Sequence, residues 1–414
     1  MPQIKKFDGL LVNPEKINQV VTPSYDAMTP AERRAFAEQN PDNYVNVMRT
    51  LEEFDGDGPT LEEILNHNQS HLKNLLDCGA FIGTQIPAYF LYQLRLGSHE
   101  QTGVIATIPV EEYTSGRLKK HEDTQLNKEN MLTHYQQTVG VTSSPICVGY
   151  PDQEEIDDAV ARAKLASPCL EFSAWDDVEQ SIWRIDDAEI SAQLEQGFSQ
   201  IVYTYLTDGH HRCAAGARIA QSAEKQISDA ADSNSRRLFV ALFPESQLKI
   251  FSYFRCVRDL GGLSVDELLD GIRSVGIGVQ ELNAGRDNGL LPSQARHITM
   301  IVDDKVFQLQ IPDSLVPSDD PVRSLDVSIL QEHVLSGVLN IHDARSDTRL
   351  SYVPGSDGIA GLMERCSQGW RLGFACVDTT MQEVMDVADA GCVMPPKSTW
   401  FDPKLRSGIF LQFC

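Results

Sequence analysis

The sequence predicts an α+β protein (mixed α/β order) in two domains, and three observations carry that expectation. Short β-rich apolar runs alternate with amphipathic helical segments along the whole chain. The 414 residues exceed one typical core. A glycine-bearing break at Asp259-Leu260-Gly261-Gly262 separates an N-terminal part from a second stretch with the same α+β theme. The expected domains are therefore residues 1–259 and 260–414, with no fixed-period repeat.

In order, residues 7–14 read as a short strand and turn. Thr29 before Pro30 and Glu32 is a capped helix start, predicting a helix to Gln39 and then a strand over 43–48. The spacing of Leu61, Ile64, Leu65, Leu72 and Leu75 predicts a helix over 60–76. Residues 86–96 and 102–110 form a hairpin across Gly97-Ser98-His99-Glu100. A helix at 128–137, a strand at 143–150, an acidic helix at 152–166, short strands at 170–172 and 181–185, and a helix at 188–198 follow. A strand over 201–207 then meets a helix opening at His210. A Ser/Asp/Ala-rich loop at 222–236 precedes strands at 238–243 and 248–257. Beyond the break come a helix at 264–274, strands at 297–303 and 306–311, helices at 326–337 and 357–367, a strand at 369–376 and a helix at 380–389.

Composition limits function. Hydrophobic residues at 42% and charged ones at 23% describe an ordinary globular protein. No apolar run is long enough to span a bilayer, and Met1-Pro2-Gln3-Ile4-Lys5-Lys6-Phe7 is unlike a secretion signal, so a cytoplasmic location is expected. The nine cysteines include no Cys-x-x-Cys pair and read as reduced, mostly buried thiols. A net charge of −24 argues against nucleic acid or an anionic membrane as partner. Any anion site must be made locally, by the few basic clusters.

The first cluster is Asp208-Gly209-His210-His211-Arg212. It falls where a strand breaks into a helix, and the first turn of a helix offers unpaired N–H groups and the positive end of its dipole to an anion. Asp208 as a cap and two surface histidines would be the purely structural alternative. Cys213 follows, and packing is the expected role for it. The second cluster, 116–128, sets Arg117, Lys119, Lys120, His121 and Lys128 around Glu122 and Asp123. Cationic neighbours favour an ionised Glu122, which suits a general base or a metal-binding carboxylate. The third, 391–408, presents Lys397, Ser398, Thr399, Lys404 and Arg406 on a proline-stiffened loop that either clamps an oxyanion or docks on acidic surface. The glycines of a P-loop are missing from it. Tyr25 and Asp26, in the loop before the first helix, are further candidate ligand contacts.

Taken together, Pro-Ser-Tyr-Asp at 23–26, Lys-Lys-His-Glu-x-Thr at 119–124, Ser-Pro-Ile at 144–146, Asp-Gly-His-His-Arg at 208–212 and Met-Pro-Pro-Lys-Ser-Thr-x-Phe-x-Pro-Lys at 394–404 resemble the bacterial and archaeal domain-of-unknown-function family DUF1015, over nearly the whole chain. Members often carry Asp-Arg where Glu129-Asn130 stands and Asn-Arg where Phe254-Arg255 stands. More loosely, strand, Asp-Gly-His-His-Arg, helix is similar to the phosphate-handling turn of the ParB/sulfiredoxin-like superfamily, which includes partition proteins, a sulfinic acid reductase and free-serine kinases. That likeness implies a ParB/sulfiredoxin-like N-terminal part with a nucleotide phosphate at His210, His211 and Arg212. DNA partition is disfavoured by the charge and by the lack of a basic helix-turn-helix segment. Sulfiredoxin-type reduction would want a cysteine at position 210.

The expected function is a small-molecule phosphotransferase, for instance a kinase of a hydroxy amino acid such as serine. ATP or ADP phosphates would lie on Gly209, His210, His211 and Arg212. Glu122 would be the general base, with His121, Lys119 and Arg212 offsetting charge, Asp208 or Glu122 holding Mg²⁺, and Lys397, Ser398 and Thr399 adding contacts. Two rivals stand beside it: a nucleotide-sensing protein without turnover, and a metal-assisted phosphatase or hydrolase ligating metal through His121, Glu122, His210 and His211.

Overall fold

Nearly continuous buried runs along residues 89–109 build the centre of the fold. Strand Tyr89–Leu96 pairs antiparallel with His99–Pro109, from Phe90 opposite Ile105 to Leu96 opposite His99, and Gly97 closes the turn at φ +59°. The structure is a computed structural model that describes residues 3–25, 28–54, 56, 58–84, 86–173, 176–224, 236–282 and 288–414. It divides into two units, Met1–Leu248 with Pro403–Cys414, and Lys249–Asp402. Both are α+β.

The first unit holds an eight-stranded mixed sheet in the order Leu118–Lys119, Thr204–Asp208, Ile146–Tyr150, Arg237–Pro244, His99–Pro109, Tyr89–Leu96, Glu179–Ile185, Leu170–Ser173. Both faces are covered, which is why its strands read as nearly continuous apolar runs rather than alternating ones. One face buries Phe7, Phe90, Tyr92, Ile105, Phe239, Phe243 and Phe410. The other packs Leu91, Val104, Val148, Leu206 and Val240 against the helices Glu154–Ala163, Ala188–Gln200 and His210–Glu224. The last strand, Phe410–Phe413, pairs with Leu10–Val12 and Val141–Thr142. That pairing ties Lys404, Arg406 and Ser407 to the first unit.

The second unit is a six-stranded antiparallel sheet in the order Gly278–Glu281, Lys305–Gln310, His297–Val302, Leu372–Cys376, Tyr253–Val257, Leu350–Pro354. Val265–Ser274, Asp326–Ile329 and the π-helix Leu330–Ser336 bury one face, and Gly358–Ser367 buries the other.

Helix starts follow the sequence signals. Reciprocal capping boxes stand at Thr29/Glu32, Thr60/Glu63, Ser264/Glu267 and Thr380/Glu383. The strand expected over 43–48 is instead a 3₁₀ turn, Tyr44–Val47. Asn43 starts it by accepting from Val45 N at 3.0 Å, while its amide donates to the carbonyls of Gln19 and Val21. An apolar run fully buried by neighbours thus needed no ladder partner. Residues 201–203 precede the strand rather than joining it, and the helix from His210 runs on to Glu224. The rest of the expected 222–236 loop lies mostly outside the described residues. The division into units differs from a boundary at 259–262 because Tyr253–Val257 already pairs within the second sheet and the final strand pairs within the first unit.

Candidate functional site

The Asp208 junction forms because the strand Thr204–Asp208 can extend no further than Gly209. Its partners are Leu118–Lys119, parallel, and Ile146–Tyr150, antiparallel, with a register shift between Leu206 and Asp208. Gly209 then adopts φ +93°, a conformation that favours glycine. A Cβ there would also lie 2.9 Å from Arg212 Nη2. The helix therefore opens at His210 behind a residue with no side chain to cap it.

Because Leu118–Lys119 runs parallel to this strand, the residues that follow it, His121 and Glu122, emerge beside Asp208–His210. The two motifs, almost ninety positions apart in the chain, meet in one place. The rings of His121 and His210 pack edge to face at 4.7 Å and 88°. Both are buried, at 1% and 5% exposure. Burial pushes His121 down to about 4, against the opposing pull of the Leu206 carbonyl and of Asp208. Burial, reinforced by His121, holds His210 well below the usual imidazole range despite the pull of Asp208. His210 Nδ1 lies 3.8 Å from Glu122 Oε2, whose side chain is 41% exposed. With the ring neutral this contact is dipolar, not an ion pair. His210 Nε2 is buried with no hydrogen-bond partner among the described residues. His211 accepts from Gln125 N at Nε2, 3.0 Å, so that nitrogen carries no proton.

Asp208 and Arg212 do something the sequence did not suggest. Asp208 Oδ2 takes Arg212 Nη2 at 2.6 Å and Oδ1 takes Lys404 Nζ at 3.0 Å. Arg212 Nη1 also donates to the carbonyls of Ser144 and Pro145, each at 2.8 Å. Burial raises the Asp208 carboxyl, but Lys404 and Arg212, helped by His210, outweigh it and hold the group well below the usual carboxylate range. A divalent ion on Asp208 would have to displace one of these cations, so Asp208 is an anchor of the junction, not an open ligand, and Arg212 braces the turn. Asp208→Ala is expected to destabilise the first unit by roughly 3 kcal/mol, because two cations lose their shared counter-charge. Equilibrium unfolding measures it, and a change below about 1 kcal/mol would refute the anchor role.

The remaining candidates fall as follows. Lys119 lies with Nζ 3.9 Å from the Tyr203 ring centroid. Tyr25 carries Arg33 over its ring at 3.8 Å and bonds Thr50 Oγ1 at 3.1 Å, a structural role. Asp26 lies outside the described residues. Lys397, Ser398 and Thr399 belong to the second unit, where Ser398 Oγ donates to Pro395 O at 2.6 Å. Cys213 is fully buried and burial pushes its thiol up, which removes any activation by the helix start. Four of the nine cysteines, at 78, 169, 392 and 414, are exposed, so burial is not their common feature. Among the described residues no group of three His, Cys, Asp or Glu side chains could hold a metal ion. The geometry thus lends nothing to the metal-assisted hydrolase. Sequence reasoning missed Glu129, which joins Arg218 at 2.6 Å and also bonds Thr124, tying the helix Leu126–Val139 to the His210 helix. An acid in the first turn of one helix and a base midway along another gave no local signal.

No curated protein matches this chain. The family described as Protein of unknown function (DUF1015) matches over residues 4–328. Among solved structures, a free serine kinase variant in complex with AMP is similar at 13% identity and TM-score 0.34, covering 72% of this chain and 87% of that one. SbnI with C-terminal truncation from Staphylococcus aureus is similar at 12% identity and TM-score 0.38, covering 73% and 85%. A conserved hypothetical protein from Pyrococcus furiosus reaches 14% identity and TM-score 0.32, covering 72% and 90%. No helix among the described residues is long and apolar enough to cross a membrane.

Proposed function

The chain belongs to the DUF1015 family, and from that premise we propose that its first unit is a nucleotide-dependent phosphotransferase acting on a small hydroxyl-bearing metabolite. The observation that carries the reading is the junction itself. A neutral imidazole with an unpartnered nitrogen, His210 Nε2, stands at the start of a helix preceded by Gly209, which has no side chain, beside a half-exposed carboxylate, Glu122. Such a helix start suits a phosphate group through its N–H groups and dipole. With its one proton on Nε2, a neutral ring there adds a donor without adding a charge that would oppose the dipole.

In this reading ATP, when bound, supplies the phosphoryl group. Glu122 takes the proton of the substrate hydroxyl as that oxygen bonds to the γ-phosphorus. The bond to the bridging oxygen breaks, and ADP leaves with the electron pair. His210 and the first-turn N–H groups hold phosphate oxygens, while Arg212 and Asp208 keep the turn rigid. Of the two carboxylates considered for Mg²⁺, Asp208 does not fit, since both its oxygens already meet cations, and in this reading Glu122 is the base for the substrate proton rather than a metal ligand.

Isothermal titration with ATP, ADP and CTP plus Mg²⁺, followed by mass analysis of a panel of hydroxy amino acids and hydroxy acids, tests the reading. Binding with a product gaining one phosphoryl group is the expected result. Binding without product would leave a nucleotide sensor, and no binding by any of the three would remove the proposal.

A further inference from the structure

The second unit holds a feature with no part in the reading above. Arg255, in the strand Tyr253–Val257, is 2% exposed. Its guanidinium donates to two carbonyls, Tyr253 O at 2.9 Å and Lys397 O at 3.3 Å. No carboxylate lies within ion-pair reach of it among the described residues. Its other surroundings are the Tyr352 ring, 5.6 Å from Cζ, and Cys376, a buried thiol that burial pushes up to about 12. Burial accordingly holds the guanidinium below its usual basicity. A buried guanidinium normally has a carboxylate or another anion beside it, because taking a lone charge out of water is costly.

A second cation stands over the same strand. Lys397 Nζ is 3.5 Å from Tyr253 Oη and 5.0 Å from that ring's centroid, again with no carboxylate partner among the described residues. Lys397 is exposed and has φ +55°, a backbone region uncommon for a residue with a side chain. Asp378, an acid of the same unit, accepts from Ser252 N at 2.8 Å through Oδ1.

We propose that Arg255 and Lys397 form an oxyanion-binding site of the second unit, specific for a phosphoryl group carried either by free phosphate or by a phosphate monoester. Two cations with no counter-charge call for a dianion. A carboxylate would offset only one of them. The planar fork of Arg255 suits two oxygens of one tetrahedral group, and Lys397, on a mobile stem, closes over a third. This site is independent of the nucleotide reading of the first unit.

The test is calorimetric titration of the full chain with inorganic phosphate, O-phosphoserine and acetate, for wild type, Arg255→Met and Lys397→Ala. Wild type is expected to bind phosphate, and affinity at one site should fall about tenfold or more in each variant, the loss of one charge-assisted contact. Binding of O-phosphoserine at that site would identify an esterified source, and its exclusion would identify free phosphate. Melting in phosphate-free buffer supplies the structural control. Should Arg255→Met fail to fold, the exposed Lys397→Ala still decides. Unchanged phosphate affinity in both variants, or acetate binding as tightly as phosphate, would overturn the site.

Discussion

Glu122→Gln is expected to lower the rate of phosphoryl transfer by about 10²–10⁴-fold while leaving nucleotide affinity nearly unchanged. The substitution keeps size and hydrogen bonding but removes the base. Glu122 is 41% exposed, and its contact with His210 is dipolar. Nucleotide phosphates would be held instead by the start of the His210 helix and by His210 Nε2, which the substitution does not touch. Measured kcat with bound-nucleotide Kd separates the two effects. Equal loss of kcat and of nucleotide affinity would show that Glu122 organises binding, and an unchanged kcat would exclude it as base.

The buried imidazole pair makes a second, large effect, on stability against pH. Both rings have a lower proton affinity folded than unfolded, so as the pH falls through 6.5 the unfolded chain takes up protons that the folded one refuses. Stability is complete above that pH and drains away until about 4, the value to which burial pushes His121. For His121 alone the loss between pH 7.5 and 5 is about 2 kcal/mol, and His210 adds to it with the same sign. His67 and His71, also shifted down by burial, contribute in the same direction. The His121→Gln variant isolates the buried pair: its unfolding free energy should fall less than that of wild type over this range. Parallel pH profiles for the two proteins would refute the burial argument. Asp208 works in a lower window, because its stabilisation is present above the usual carboxylate range and is lost only in stronger acid.

Much of the architecture was legible locally. Pro30 after Thr29 with Glu32 three residues past the cap marked a helix, and the run of Leu61, Ile64, Leu65, Leu72 and Leu75 marked another, because capping and amphipathic spacing act within one or two turns. The Asp-Gly break at 208–209 announced the strand-to-helix junction for the same reason. Tyr44–Val47 is a 3₁₀ turn where the sequence predicts a strand, because a buried apolar run of that length has no period that separates turn from ladder. The division of the chain was also out of reach, since whether Phe410–Phe413 joins the first unit depends on its pairing with Leu10–Val12, at the far end of the sequence.

The sequence by itself determined the α+β class, the helix starts and the identity of the residues carrying charge at the junction. Only the tertiary structure decided their roles. Parallel pairing of Leu118–Lys119 with Thr204–Asp208 brought His121 and Glu122 to His210, and the return of the chain at Lys404 turned Asp208 from an open carboxylate into a doubly paired anchor. Proton affinity and free valence are set by burial and by neighbours distant in sequence, whereas caps and periodicity are set by neighbours within a turn.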